Sequence, residues 1–354
     1  MNKKNDGPVG GRKRFLWSLL SLAIAALSVW AVTSQAKGFS PKNFSEYIDQ
    51  NNPWWLAAAA VTMLAYIVLN AMMVDCLLKG FGFRQSFPKN ISYAAADIYF
   101  SAITPSGTGG QPVEGYLMVK DGIPGVISTV VMIANLLFYT MAIVLLGALG
   151  LILRPSSFLR FGVFSRILIV IGILILLTLS TFYALLLWKK RLMRHICDWF
   201  LRVLAKLHLI HNLEKKQGKL YATMEKYGEA TELLKGKRKL MARGLILNVL
   251  HRACQILVTV FCFLAGGGSW KMVPDLFAMQ SNVVLGAYCI PIPGSMGVTD
   301  YMMLDGFSSM GMTEARCANL ELLSRGLSFY ICILLCGIIV LMKYAIIRFR
   351  REKK

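Results

Sequence analysis

Charge is scarce in this chain of 354 residues: only 16% are Asp, Glu, Lys or Arg, against about 25% in ordinary soluble domains. Hydrophobic residues reach 56%, above the roughly 45–50% of such domains, which argues against a soluble globule. Acidic side chains are the scarcest of the charged ones, with 18 Asp plus Glu against 39 Lys plus Arg and a formal net charge of +21. The eight cysteines (Cys76, Cys197, Cys254, Cys262, Cys289, Cys317, Cys332 and Cys336) contain no CxxC pair or ligand spacing. That argues against a disulfide framework or a zinc site, and no metal or cofactor is expected. The lysine of a Walker loop is missing, Gly294-Ser295-Met296-Gly297 lacks the GxSxG pattern of a nucleophile elbow, and the four histidines (His195, His208, His211, His251) offer no evident base. No catalytic residue is assigned.

What the chain has instead is long apolar runs, uncharged except that Leu245 to Leu264 carries His251 and Arg252 and Leu327 to Ile347 carries Lys343 near its end. A bilayer core of about 30 Å needs about 20 apolar helical residues, and six runs approach or exceed that length: Phe15 to Thr33, Trp54 to Val74, Gly125 to Leu153, Ile167 to Trp188, Leu245 to Leu264 and Leu327 to Ile347. Phe15 to Thr33 follows five cations and resembles a signal peptide, but its length favours an anchor. Most of the cations lie in 1–14, 75–90, 116–122, 189–240 and 343–354, between or beside these runs. By the positive-inside rule those segments face the cytoplasm, so both termini are cytoplasmic and the number of crossings is even, as six is. The expectation is an all-α, polytopic protein of a bacterial cell membrane.

Two shorter apolar stretches, Ile91 to Ile103 and Leu276 to Ile290, are too short to cross straight, and each runs into a Pro/Gly cluster. The first cluster holds Thr104, Pro105, Ser106, Gly107, Thr108, Gly109, Gly110, Gln111 and Pro112, and the second Pro291, Pro293, Gly294, Ser295 and Gly297. Non-helical backbone at membrane depth is tolerated only inside protein or against water. Both stretches are therefore expected to be re-entrant, entering from opposite faces and lining a polar cavity. Pro105 precedes Glu114 by the same spacing as Pro291 precedes Asp300, and an aromatic/Met run follows each carboxylate. Paired broken segments of opposite orientation point to a transporter's central site and to an inverted repeat. The chain thus divides into a basic segment 1–14, a membrane half 15–188 with its re-entrant element at 90–115, basic amphipathic helices at 189–240, a second half 241–347 with its element at 276–300, and a basic tail 348–354.

In the 189–240 segment, Phe200, Val203, Leu204, Leu207 and Ile210 form one helical stripe. Gly218 interrupts, and Leu220, Met224, Tyr227 and Leu234 form a second. Such helices suit an anionic membrane surface, and no RNA-binding motif accompanies their charge, so nucleic acid is not the expected partner. Ionisable groups inside the membrane are functional hypotheses by default. Asp97 either serves the site or pairs with a nearby cation. Arg252 needs a carboxylate or a phosphate, with Asp97, Glu114, Asp300 and Asp305 available, and His251 points about 100° away from it on the helix. Arg325 either snorkels to the interface or joins the cavity. Gly107, Gly109 and Gly110, with the hydroxyls of Thr104, Ser106 and Thr108, have the composition of an anion cradle or of a tight helix break.

The string from Ile103 to Pro112 resembles the ITPSxTGGQP signature of the lysylphosphatidylglycerol synthase transmembrane, or flippase-like, family, in its Firmicutes branch. The run Pro291 to Asp300 is similar to that family's P-x-PGGxGxxE element, and Leu322 to Tyr330 to its Arg- and Tyr-bearing last-span motif. Asp300 stands where the family often has Glu, and Ser295 where it often has Gly. The resemblance implies a membrane domain that moves a lipid: phosphatidylglycerol, lysylphosphatidylglycerol or a polyprenyl phosphate. It would do so without the tRNA-dependent transferase domain of the full-length synthases, since the chain ends at Lys354. Lipid transport, a link to antibiotic resistance and a soluble synthase partner follow as expectations, and an enzyme, as a phosphatidylglycerol lysyltransferase, is the alternative, as is a recruiting scaffold. On the lipid-translocating reading, the headgroup would meet Asp97, Thr104, Ser106, Thr108, Gln111, Glu114, Arg252, Asp300 and Arg325. The backbone would break at Pro105, Gly107, Gly109, Gly110, Pro291, Pro293, Gly294 and Gly297.

Overall fold

A computed structural model of the chain describes residues 41–104, 107, 109–206, 213–287 and 290–352. The run Phe15 to Thr33 and the basic segment 1–14 lie outside the described residues, as do Pro105, Ser106 and Thr108. Among the described residues every regular element is a helix. A short α1 (Pro41–Gln50) leads into α2 (Pro53–Gly80), which starts where Pro53 fixes the first turn and the Asn52 side chain accepts from the Trp54 amide at 3.0 Å. Then come α3 (Phe87–Ile103), α4 (Gly110–Lys120), α5 (Gly125–Leu153), α6 (Pro155–Arg160) and α7 (Val163–Trp188). The second half holds α8 (Lys190–Lys206), α9 (Leu213–Lys235), α10 (Arg238–Ala265), α11 (Val273–Ala287), α12 (Val298–Ser309) and α13 (Glu314–Arg325). A π-helical turn (Gly326–Ile331) joins α13 to α14 (Cys332–Glu352).

Among the described residues, five helical stretches are long and apolar enough to cross a membrane: Pro53–Gly80, Gly125–Leu153, Val163–Trp188, Arg238–Ala265 and Glu314–Ile347. They contain the five expected runs within the described residues. The two short stretches fold as antiparallel hairpins. In the first, Tyr93 Oη donates to Asp121 Oδ2 at 2.7 Å near the mouth, Gln111 Nε2 donates to Asp97 Oδ1 at 2.9 Å further in, and Ser101 Oγ donates to the Gly107 carbonyl at 3.1 Å near the tip. Residue numbers that rise along α3 thus meet numbers that fall along α4. In the second, Gly306 faces Met279 and Gly286 faces Met302, the same antiparallel order for α11 and α12.

The hairpins open toward opposite ends of the bundle. The mouth of the first lies with the basic segments: Lys343 pairs with Asp121 at 2.7 Å, and Lys237 Nζ bonds the Gly80 carbonyl. At the other end, the Asn52 amide donates to the Ala265 carbonyl at 2.9 Å, Trp55 meets Trp270 edge-on, and Arg154 and Arg160 flank Asp275 of α11 at 3.5 and 3.6 Å. Two units of span, hairpin and span therefore run in opposite directions: α2, α3/α4, α5 and α10, α11/α12, α13 to α14. Their lead helices α2 and α10 pack antiparallel along their length, with Gly80 against Leu240 at one end and His251 on Tyr66 midway. Each hairpin packs across on the other unit. Gly337 of α14 receives Tyr99 of α3, while Gly147 of α5 and Gly172 of α7 close on Leu285 of α11. In a membrane, where burial from lipid gives little hydrophobic gain, such small residues let helices approach closely enough for dispersion to hold them.

The basic segment departs from the expected pattern in two places. Gly218 does not break a helix: it lies exposed within α9, with room for a side chain. The second stripe does not face lipid either. Tyr227, Ala230 and Leu234 are buried against the bundle, and Tyr227 Oη donates to the Leu186 carbonyl at 3.0 Å, capping the end of α7. Burial raises the Tyr227 phenol to about 12, so it stays a donor at any physiological pH.

Candidate functional site

The hairpin tips meet inside the bundle. Gly294 sits at φ +61°, where a side chain would be strained. The place its Cβ would occupy overlaps Phe329 and lies 3.3 Å from the Ala102 carbonyl of the first tip. Gly107 in the first tip also has a positive φ, +65°, but only ordinary contacts around it. Ser295 follows with φ +50°, a left-handed backbone on a residue that carries a side chain.

Polar side chains collect on either side of this meeting point. On the first side, Asp97 is held by neutral donors, Gln111 Nε2 at 2.9 Å and Ser101 Oγ at 3.3 Å, so it ties the two arms together. Among the described residues no cation lies within ion-pairing distance of it, so of its two readings the pairing with a cation is not the one found. Glu114, on α4, is 1% exposed and neither carboxylate oxygen receives a hydrogen bond. Thr104 is consumed in building the tip: its hydroxyl donates to the Phe100 carbonyl at 2.7 Å and accepts from the Gly109 amide at 2.8 Å. It functions as a backbone latch, not as a free donor. The close packing of Gly109 on Thr104 and of Gly110 on Asp97 and Ser101 requires glycine at both positions.

Arg252 is buried, yet among the described residues it has no ion-pair partner. Its guanidinium lies 3.8 Å from the Tyr139 ring centre and donates to Gln255 Oε1 at 2.9 Å, leaving Nε without a partner. His251 and Arg252 point less far apart in effect than helix geometry suggests, because Tyr66 is large enough to meet both. The imidazole stacks on its ring at 3.9 Å, and the guanidinium lies 5.6 Å from it. Met63, Tyr66, Gln255, Val258 and Ser328 close around this cluster and leave no space for even a water molecule, whereas small-molecule sites run to roughly 300–1,000 Å³, so a headgroup would have to part the helices.

On the second side, Asp300 occupies the third position of α12, where its Oδ2 accepts from the Gly297 amide at 2.9 Å and caps the broken helix. Its Oδ1 lies 2.8 Å from Arg325 Nε, with both side chains less than one-tenth exposed. The N–H is not aimed along that line, and Nη2 has no partner, so the guanidinium is paired but not saturated. Arg325 does not snorkel: it is interior, over the Phe329 ring at 4.3 Å, at the start of the π-helical turn. Such turns recur at functional sites because they re-aim side chains within a helix. Asp305 serves α7 instead, accepting from the Gly162 amide at 3.0 Å and Ser165 Oγ at 2.5 Å.

The sequence reading missed Glu321, Ser324 and Tyr330. Glu321 is 0% exposed beside Asp300 and Arg325, and no donor among the described residues reaches either of its oxygens; Tyr330 Oη is likewise unpartnered, and Ser324 lies beside the Cys262 thiol. The available signal was the spacing of Glu321 and Arg325, one helical turn apart. It was passed over because the uncharged run begins only at Leu327.

Two opposed hairpins with buried carboxylates and arginines at their tips, inside a bundle of apolar spans, define a multi-pass α-helical membrane protein with a polar interior. The chain belongs to the family described as the lysylphosphatidylglycerol synthase TM region, whose model matches residues 18–336. It is similar to UPF0104 membrane protein PH1989 of Pyrococcus horikoshii, with 26% identity over 287 residues, 78% of this chain and 83% of that protein. It is also similar to a UPF0104 membrane protein of Methanothermobacter thermautotrophicus, with 22% identity over 308 residues, 84% of this chain and 85% of the relative.

Proposed function

We propose that the protein translocates an anionic or aminoacylated lipid across a cell membrane, passing the headgroup between the two hairpin tips while the acyl chains stay in the bilayer. The observation that carries this is the pair of unsaturated guanidiniums flanking the tips, Arg252 with a free Nε and Arg325 with a free Nη2. Buried arginine donors without partners are costly unless a ligand uses them, and phosphate is the ligand whose geometry suits them. The opposed hairpins support alternating access, since each can open to its own end of the bundle. The end carrying Lys79, Lys89, Lys237 and Lys343 is the cytoplasmic one on the distribution of charge. The cargo class is phosphatidylglycerol, lysylphosphatidylglycerol or a polyprenyl phosphate.

The test is leaflet exchange of each of these lipids, fluorescently labelled, in vesicles containing the purified protein. Exchange of one of them is expected, with loss in a Glu114→Gln/Asp300→Asn variant that still folds. Absence of exchange for all three with folded wild type, or undiminished exchange in the variant, would overturn the proposal.

A further inference from the structure

Charge balance around the second hairpin tip does not close if every acid is ionised. Two carboxyl groups, Asp300 from α12 and Glu321 from α13, face the single guanidinium of Arg325. Among the described residues, the other titratable group facing Glu321 is Tyr330 in the π-helical turn, which supplies no positive charge. Asp300 holds both available stabilisers, the Gly297 amide and Arg325 Nε. Glu321 is fully enclosed, and its hydrogen-bonding neighbour is the Asp300 carboxyl, which offers no proton when ionised. An ionised carboxylate in that position would carry a desolvation cost and the repulsion of Asp300, against only a share of Arg325, which Asp300 already engages.

We infer that Glu321 is a proton-binding site, occupied while the tips are closed and emptied when water reaches the second hairpin, so that translocation is coupled to proton movement. On opening, the carboxylic O–H bond of Glu321 breaks and the proton passes to water. The carboxylate left behind then competes with Asp300 for Arg325, which loosens the ion pair that holds the tip of α12. Reprotonation restores the closed arrangement. The first half repeats the balance, with Asp97 satisfied by neutral donors, Glu114 without any, and one arginine nearby. The coupling rests on the translocation reading; the proton site itself does not.

The site is tested on purified protein in lipid nanodiscs, with glutamate isotopically labelled at its side-chain carboxyl, by infrared spectroscopy at neutral pH. A carboxylic-acid carbonyl band is expected in the wild type and is lost in Glu321→Gln. Should the glutamine variant fail to insert, Glu321→Asp removes the labelled group while keeping an acid, and the labelled band must again be lost. No such band in the wild type, or a band unchanged in either folded variant, overturns the proton site. In vesicles, reversing an imposed pH gradient is expected to alter lipid exchange by the wild type and to have no effect on Glu321→Gln. A gradient-insensitive wild type overturns the coupling, whereas a wild type that exchanges no lipid counts against the translocation reading instead.

Discussion

The two hairpins have the same outline and opposite electrostatics. In the first, the fixed acid, Asp97, is held by an amide and a hydroxyl, and the nearby arginine rests on tyrosine rings and Gln255. In the second, acid and base meet directly, Asp300 against Arg325, within the capped start of α12. A polar centre held by neutral donors can lose one member without stranding a charge. A buried ion pair cannot, because the survivor keeps its full desolvation cost. The second hairpin is therefore the more sensitive half and the better place for a switch.

The largest effect that separates the halves is truncation of their arginines. Arg325→Ala strands Asp300 and is expected to cost about 3–5 kcal/mol. Arg252→Ala forfeits ring contacts and one hydrogen bond, on the order of 2 kcal/mol. Thermal unfolding of both variants in one detergent measures the difference, and equal losses would erase the distinction drawn here. Next come the tips. Gly294→Ala adds a collision with Phe329 to a left-handed backbone and should cost about 2–4 kcal/mol, whereas Gly107→Ala meets the backbone penalty alone, about 1–2 kcal/mol. The same unfolding assay orders them.

A third contrast lies at the mouth of the first hairpin. Burial would raise the Asp121 carboxyl, but hydrogen bonds from Lys343 and Tyr93 outweigh it and hold the group below its usual range. A group lowered by folding stabilises the fold above its unfolded value of about 4 and ceases to do so as pH falls through its folded value. Asp121→Asn should therefore be less stable than wild type at neutral pH, and the two melting curves should converge in acid. Smallest is Ser295→Gly, which relieves the φ of +50° at the cost of a freer unfolded chain. A gain of up to about 1 kcal/mol is expected.

Much of the architecture was legible in the sequence because bilayer thickness sets helix length and each break announces itself in proline and glycine. The five described spans followed from run length, and the two broken segments from short runs that end in proline and glycine. The partners of Arg252 and Arg325 did not, because pairing depends on which helices cross. Arg252 found rings from α2 and α5 where a carboxylate or a phosphate was expected, and Arg325 turned inward at a π-helical turn that no residue pattern marks. Glu321 escaped notice for a related reason: a rule that seeks uncharged windows begins the last span after the charges that matter. The Gly218 break failed because a glycine exposed on a helix costs only about 1 kcal/mol against alanine, too little to end a helix anchored by Tyr227 and Leu234.

The most direct test of the account is where a headgroup touches the protein. Phosphatidylglycerol carrying a photoreactive group on its headgroup, incorporated into vesicles with the wild-type protein and illuminated, should label peptides spanning residues 100–115 and 290–300. Label confined to the lipid-facing surface of Val163–Trp188, with none at the two tips, would contradict passage between the hairpins.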